Sequence, residues 1–206
     1  MTRRVRLPLP LLLLVTFFAA GATLGAVKFT STWAAPDAAK VVFKGQKVVS
    51  LVMSDDLSLR MSAEEALTRE LTARGINGVS AYRVIPPQEL KDPERARAWF
   101  EREAVAGVVA LRPVDQRKEK RYPPDVWLSP TYSTLWGYYP YGWTTVYVAG
   151  PNPTDTVIVV ESLIFQVSTG KLLWGGVSET TNPKSLQGLV ADIVKEAAKK
   201  IEKQFR

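Results

Sequence analysis

Three carboxylates occupy positions where acid–base or hard-metal chemistry could take place. Asp55 and Asp56 follow the apolar run 47–53, which predicts a buried strand, and α/β folds often bind ligands just beyond such a strand. Glu179 is the third carboxylate. Paired carboxylates act as general acid and base, and their oxygens are ligands for hard cations. The simpler role for the two aspartates, which we favour, is capping of the following helix.

Two residue types that carry much enzyme chemistry are missing. The 206-residue chain contains no cysteine and no histidine. A disulfide framework, a zinc–thiolate site, a cysteine nucleophile and a Ser-His-Asp triad are therefore excluded. We predict a protein that is not an enzyme and that holds neither a cofactor nor a metal. The alternative is a hydrolase that uses carboxylates alone to cleave cell-wall glycan.

The most unusual segment is the run 122–143, which is rich in Pro, Gly, Tyr and Trp and lacks clear periodicity. Aromatic rings supply large contact areas at low entropic cost, so they recur at interfaces, and they also stack on sugars. An equally weighted alternative is a loop that packs on its own rings and covers a sheet edge. The candidate binding residues are Trp127, Tyr132, Trp136, Tyr138, Tyr139, Tyr141 and Trp143.

The charge distribution argues against nucleic acid as a partner. The net charge is +7, and three arginines at the amino terminus account for part of it, which leaves +4 for the rest. No Lys or Arg lies between Arg121 and Lys171, so the aromatic segment carries no positive charge to neutralise phosphates. We therefore predict no nucleic-acid partner.

The amino-terminal residues 1–26 have the composition of an export signal. Three arginines precede an uncharged, apolar stretch, and Ala20 and Ala22 permit cleavage after Ala22. An uncleaved membrane anchor is the alternative, although Pro8 and Pro10 weaken a spanning helix. In both cases positive charge on the amino side directs the remainder to the periplasm. We predict an exported protein that is free in the periplasm or tethered to the inner membrane.

The elements that must position the candidate residues form one α/β domain over residues 27–206. Its first half alternates strands and helices in the order β-α-β-α-β, which implies parallel pairing. The predicted strands are 47–53, 78–85 and 107–112, and the predicted helices are 57–74 and 93–104.

The second half of the predicted domain is an antiparallel hairpin followed by a carboxyl-terminal helix. The predicted strands are 144–148, 154–168 and 172–180, and the amphipathic last helix is 185–204. The run 27–33 predicts an edge strand or a linker. The fold class is therefore α/β, with helices packed on a mixed sheet.

Two charged sites inside these elements have simple interpretations. Glu161 lies within an apolar strand and is expected to face solvent or to pair near the sheet edge. Arg60 and Glu64 have the spacing of a surface ion pair on one helix, which contributes little to stability.

Several motifs resemble a group of uncharacterised bacterial envelope lipoproteins. They are Trp33 with Pro36, Arg60-x-x-x-Glu64/Glu65 with Leu67, Leu71 and Gly75, and Trp174-x-Gly176-x-x-Glu179-Thr180-x-Asn182-Pro183. The order of elements is also similar to the amino-terminal domain of TolB and to related domains of curli-secretion and peptidoglycan-synthase-activating lipoproteins. The resemblance implies an envelope location and an α/β fold, but no chemistry. This chain has Val27 where those relatives carry the lipidated cysteine.

Together these features predict a non-enzymatic envelope protein that binds a partner, or helps to assemble one, through the aromatic segment. The expected partner is an envelope protein or peptidoglycan or another glycan, with membrane contact through residues 1–26 if they stay uncleaved. The alternatives are the carboxylate-based glycan hydrolase and a structural subunit of an envelope assembly.

Overall fold

The computed structural model of the protein describes residues 25–114, 124–144 and 157–204. These residues form a six-stranded mixed sheet with helices on both faces. The strands are β1 (Lys28–Ala34), β2 (Lys47–Val52), β3 (Asn77–Ser80), β4 (Gly107–Val114), β5 (Val157–Gln166) and β6 (Leu172–Thr181). The helices are α1 (Leu57–Ala73), α2 (Ala81–Val84), α3 (Pro87–Leu90), α4 (Pro93–Arg102), α5 (Leu135–Gly142) and α6 (Leu186–Gln204).

The strand order is β1-β6-β5-β4-β2-β3. Strand β2 pairs in parallel with β3 and β4, and all other pairs are antiparallel. The predicted α/β class with a mixed sheet is therefore confirmed. The run 27–33 is an edge strand, because β1 pairs with β6 alone.

Helix α1 begins and ends where the sequence predicts. Its first turn is capped by Asp56, whose side chain accepts a hydrogen bond from the Leu59 N–H at 2.9 Å. Gly75 follows with a φ of 77°, a left-handed conformation that glycine adopts without strain. Capping is thus the role that the structure gives to Asp56.

The predicted strand 78–85 is wrong in its second half. Strand β3 ends at Ser80, and the chain continues as two single-turn helices, α2 and α3. Ala81 and Ile85 are four residues apart and both buried, a spacing that fits one face of a strand and one turn of a helix equally well. A short apolar run does not distinguish the two periods.

Two predicted elements fall partly outside the described residues. In the predicted strand 144–148, residues 145–148 lie outside the described residues. In the predicted strand 154–168, the first three residues lie outside them. The hairpin of β5 and β6 turns at Gly170, whose φ is 67°. None of the helices in the described ranges combines the length and the apolarity needed to cross a bilayer.

Side chains on the two sides of the sheet form separate cores. The first core, here called the aromatic face, lies under α2 to α5 and includes Phe100, Trp127, Tyr138 and Phe165. The second, here called the aliphatic face, lies under α1 and α6 and includes Val52, Leu67, Leu111, Leu189 and Ile193.

Candidate functional site

The aromatic segment is folded onto the sheet rather than lying free as a loop. Thr134 caps α5 by accepting a hydrogen bond from the Gly137 N–H at 3.1 Å. Next to it, the Leu135 N–H donates to the Gly170 carbonyl at 2.7 Å, which ties the start of the helix to the β5–β6 turn. The sequence does not predict this helix, because Pro140 and two glycines have low intrinsic helix propensities.

Four of the seven candidate rings belong to the core. Trp127, Tyr138 and Tyr139 are fully buried, and Tyr132 nearly so. Their rings contact one another and the sheet; the Tyr132 centroid lies 5.5 Å from those of both Trp127 and Tyr138. For these four residues the structure matches the alternative in which the segment packs on its own aromatic side chains.

A buried ion pair lies beneath these rings. Arg112 on β4 and Glu161 on β5 are direct cross-strand partners with fully buried side chains, and Arg112 Nε donates to Glu161 Oε2 at 2.7 Å. Tyr138 donates its hydroxyl hydrogen to the same oxygen at 2.5 Å. The guanidinium carbon of Arg112 also lies 4.7 Å from the centre of the Tyr141 ring.

The expectation that Glu161 faces solvent or pairs near the sheet edge is therefore wrong. Its partner is 49 residues away in the sequence, so no local pattern shows the pairing. Burial, and next the charge of Glu161, raise the pKa of the Tyr138 hydroxyl well above its usual value. Tyr138 accordingly stays a neutral donor to the carboxylate.

The remaining three candidate rings keep part of their surface in solvent. Trp136 and Trp143 are half-buried on either side of Tyr139, with centroid distances of 5.7 and 6.3 Å to it. Each carries a cation: Arg97 Cζ lies 5.6 Å from the Trp136 ring, and Lys91 Nζ lies 5.6 Å from the Trp143 ring. We call these four side chains the tryptophan edge. Tyr141, the third ring, lies away from this edge and above Arg112.

An open groove borders the tryptophan edge. It has a volume of about 380 Å³ and separates α4 from the β5–β6 turn. Trp136 supplies apolar surface above the buried Phe100, whereas Arg97, Glu101 and Thr169 supply polar groups. Such a groove can hold a ring or an extended side chain and orient it with hydrogen bonds at the rim. The binding role predicted for the seven rings stays a prediction, and accessibility favours this edge.

The three candidate carboxylates do not meet. Asp55 forms an ion pair with Lys91, and Asp56 caps α1. Glu179 lies on β6, and the two intervening strands place it about 14 Å from β2, at roughly 4.8 Å per strand spacing. In the described parts of the chain no group of three or more Asp or Glu side chains is placed to hold a metal ion.

The edge of the sheet at which doubly wound folds bind ligands is occupied here. The chain leaves β2 toward β3 on one side and returns to β4 on the other, so the ends of β2 and β4 flank a topological switch point. Gly142 of α5 packs so closely on Met53, just beyond β2, that a Cβ at position 142 would have to displace the Met53 thioether. Helix α5 thus covers this position.

A second carboxylate, that of Glu64, was expected on the surface but is buried. Glu64 is fully buried, and Arg60 is only 6% exposed, which corrects the predicted surface ion pair. The Glu64 oxygens accept hydrogen bonds from two backbone N–H groups, of Val52 at 3.1 Å and of Tyr82 at 2.7 Å. Burial raises the pKa of Glu64 to about 7, while these N–H groups and Arg60 oppose the shift.

Comparison with known proteins gives similarity in structure only. No protein-family model and no curated protein sequence matches the chain. Two PelC dodecamer structures from Paraburkholderia phytofirmans are similar at TM-scores of 0.41, with 19% and 18% identity; they cover 81% of this chain and 90% and 89% of theirs. Lipoprotein GNA1162 from Neisseria meningitidis is similar at a TM-score of 0.40 and 13% identity, over 77% of this chain and 96% of its own. Similarity at this level carries no argument about function, and the resemblance to TolB stays a prediction.

Proposed function

We propose that this protein is a non-enzymatic, exported module of the bacterial envelope that binds a protein partner through the tryptophan edge. The observation that carries the proposal is the partial exposure of Trp136 and Trp143, each with a cation over its ring, together with the open groove beside Trp136. Tryptophan and arginine are the residues most enriched at the energetic centres of protein interfaces.

The support beneath this edge is rigid, which favours binding. Tyr139 lies between the two tryptophans, is fully buried, and donates its hydroxyl hydrogen to the Leu90 carbonyl at 2.5 Å. The chain thus presents both indoles in a fixed arrangement, and little conformational entropy remains to be lost on binding.

Charges at the rim supply orientation rather than affinity. Arg97 pairs with Glu101 at 3.1 Å, and Lys91 pairs with Asp55, all four with exposed side chains. Exposed pairs of this kind contribute little to stability but guide complementary charges into register. A partner surface with its own alternating charges and an apolar centre fits this edge.

The remaining parts of the proposal rest on the sequence and on the separation of the carboxylates. Residues 1–26 have the composition of an export signal, which supports the envelope location. The absence of His and Cys, the distance between Glu179 and the two aspartates, and the position of α5 over the ends of β2 and β4 support a binding role over an enzymatic one.

Site-specific crosslinking in the producing cells tests the proposal. A photo-reactive amino acid replaces Thr169, which is exposed and lines the groove. We expect an adduct with one protein, and we expect Trp136→Ala to reduce it at least about tenfold, as for a central interface residue. Leu128→Ala is the matched control, because Leu128 is 63% exposed on the same segment but outside the groove.

Two outcomes would contradict the proposal. One is an adduct that Trp136→Ala leaves unchanged. The other is sedimentation with purified peptidoglycan sacculi that depends on Trp136 while no protein adduct forms, since that result would assign the edge to glycan.

A further inference from the structure

The aliphatic face contains a cavity that the fold does not fill. It has a volume of about 150 Å³ and lies between α1, α6 and the strands β2, β4 and β5. Every residue that lines it is apolar. Each of the five elements contributes, for example Val52 of β2, Ala63 of α1, Pro113 of β4, Ile158 of β5 and Val190 of α6.

The gap follows from how the two helices divide the sheet. Helix α1 packs on β2 and β3, whereas α6 packs on β1 and β6, and both helices reach over the strands between them. Above β4 and β5 the small side chain of Ala63 leaves space unfilled. Water gains no hydrogen bond inside an apolar cavity, and the lining loses dispersion contacts while it is empty. An aliphatic occupant would restore those contacts.

The cavity lies at the end of the sheet where the amino-terminal segment joins the fold. Its lining includes the last residue of β2 and the first residue of α6. Val27 belongs to the same cluster of buried side chains, and Gly25 packs against the backbone of Thr181, the last residue of β6. Gly25, the first described residue, therefore lies at the same end of the sheet as the cavity, and the uncharged apolar stretch of the sequence precedes it.

Apolar side chains are also exposed at this end of the molecule. Leu57 is 53% and Met61 is 38% exposed on the first two turns of α1, and Leu59 between them lines the cavity. Residues one helical turn apart lie on the same side of a helix, so Leu57 and Met61 form a small apolar surface at this end of the molecule, on the side of α1 that faces away from the cavity.

We propose that this cavity binds the end of an acyl chain of a membrane phospholipid, a proposal that rests on residues 1–26 staying uncleaved as a membrane anchor. A cavity of this volume takes up a molecule the size of benzene, so about six carbon atoms fit. A helix, about 10 Å wide with its side chains, does not fit, which argues against the amino-terminal segment itself as the occupant. The apolar lining leaves a polar headgroup outside.

Photolabelling of the full chain tests this proposal. The protein is reconstituted into vesicles of phosphatidylethanolamine and phosphatidylglycerol, with a diazirine near the methyl end of the phosphatidylglycerol acyl chains. After irradiation, mass spectrometry locates the label. We expect labelling of residues 186–193 of α6 and of residues 59–63 of α1.

Variants separate occupancy of the cavity from contact with the surface. Ala63→Leu fills the cavity from α1, and we expect it to reduce the labelling at least about fivefold, because the volume for the chain is lost. Val190→Leu fills the cavity from α6 instead, and it replaces Ala63→Leu in this test if that variant does not fold. Val42→Leu is the control, since it adds one methylene group at an exposed site outside the cavity, and its labelling should equal that of the wild type.

Equal labelling of Ala63→Leu and the wild type would overturn the proposal. So would the absence of label in these two segments. With a photo-reactive amino acid at position 190, a crosslink to residues 7–22 or to a second copy of the chain would also overturn it. Each of these results leaves the crosslinking test at Thr169 unaffected, so the two proposals fail independently.

Discussion

The cores on the two faces of the sheet differ in residue type and in how completely they are packed. The aromatic face is filled by rings from α4, α5 and the 3-10 turn Pro124–Leu128, and it encloses an ion pair and several tyrosine hydroxyls. The aliphatic face is covered by α1 and α6 and retains a cavity of about 150 Å³. We therefore expect the first face to depend on specific partners and the second to tolerate changes in volume.

Because of this difference, the two proposed binding sites arise in different ways. On the aromatic face the buried rings hold Trp136 and Trp143 in place at the surface. On the aliphatic face the space left by two helices is itself the candidate site. Protein recognition would thus depend on rigidity, and lipid binding on incomplete packing.

The largest effect is expected from removing one member of the buried ion pair. Glu161→Ala leaves the Arg112 charge without its carboxylate in the core, and we expect a loss of about 3–5 kcal/mol in the free energy of unfolding. Chemical denaturation measures it. The double variant Arg112→Met with Glu161→Leu should recover most of the loss, because no charge then remains buried. A double variant as unstable as the single one would show that shape, and not charge, governs this face.

The second effect is a dependence of stability on pH that comes from Glu64. Its pKa is raised from 4.5 to about 7, so between these values the folded protein binds a proton that the unfolded chain has released. The stabilising effect of that proton is complete below pH 4.5 and is lost as pH rises through 7, a change of about 3 kcal/mol at 1.36 kcal/mol per pKa unit.

Glu64→Gln should remove this dependence. Unfolding measured at pH 4.5 and pH 7.5 should show the wild type losing about 3 kcal/mol relative to the variant. A difference near zero would mean that the two backbone N–H groups and Arg60 fully offset the burial of the carboxylate.

A smaller loss is expected at Tyr138. Tyr138→Phe keeps the ring and removes only the hydroxyl that donates to Glu161 Oε2, so the loss should be about 2 kcal/mol, typical of a hydrogen bond to a charged group. Thermal and chemical unfolding measure it, with Tyr132→Phe as a comparison, because that hydroxyl has a long contact of 3.4 Å to Tyr141. Equal losses for both variants would contradict the special role of the carboxylate contact.

The smallest effect is expected on the aliphatic face. Ala63→Leu adds apolar volume next to an existing cavity, so it should leave stability unchanged or raise it by about 1 kcal/mol. The same substitution in a close-packed core typically costs 1–3 kcal/mol, about what overpacking causes. Calorimetry of the purified protein distinguishes the two, and a clear loss would show that this face is as tightly packed as the other.

The sequence predicts the parts of the fold whose signals are local. Helix α1 has a cap at Asp56 and a stop at Gly75, and both positions behave as their residue types indicate. Helix α5 could not be predicted, because Gly137 and Pro140 disfavour a helix and contacts with the β5–β6 turn stabilise it. Propensity is a weak guide where tertiary contacts are this extensive.

The site was predictable in composition but not in detail. Seven aromatic residues identified the segment, yet only the packing shows that four of them are core and that Trp136 and Trp143 remain accessible. The burial of Glu161 depends on Arg112, which lies on a different strand 49 residues away. No pattern within either strand reports a pairing of that range.

The affinity of the full chain for the protein captured at Thr169 tests the tryptophan edge most directly. Calorimetric or surface-based titration compares the wild type with Trp136→Ala and with the exposed control Leu128→Ala. We predict a Kd at least about tenfold weaker for Trp136→Ala, or about 1.4 kcal/mol, with unchanged unfolding and a control equal to the wild type. Equal affinity for all three proteins would contradict partner binding at this edge.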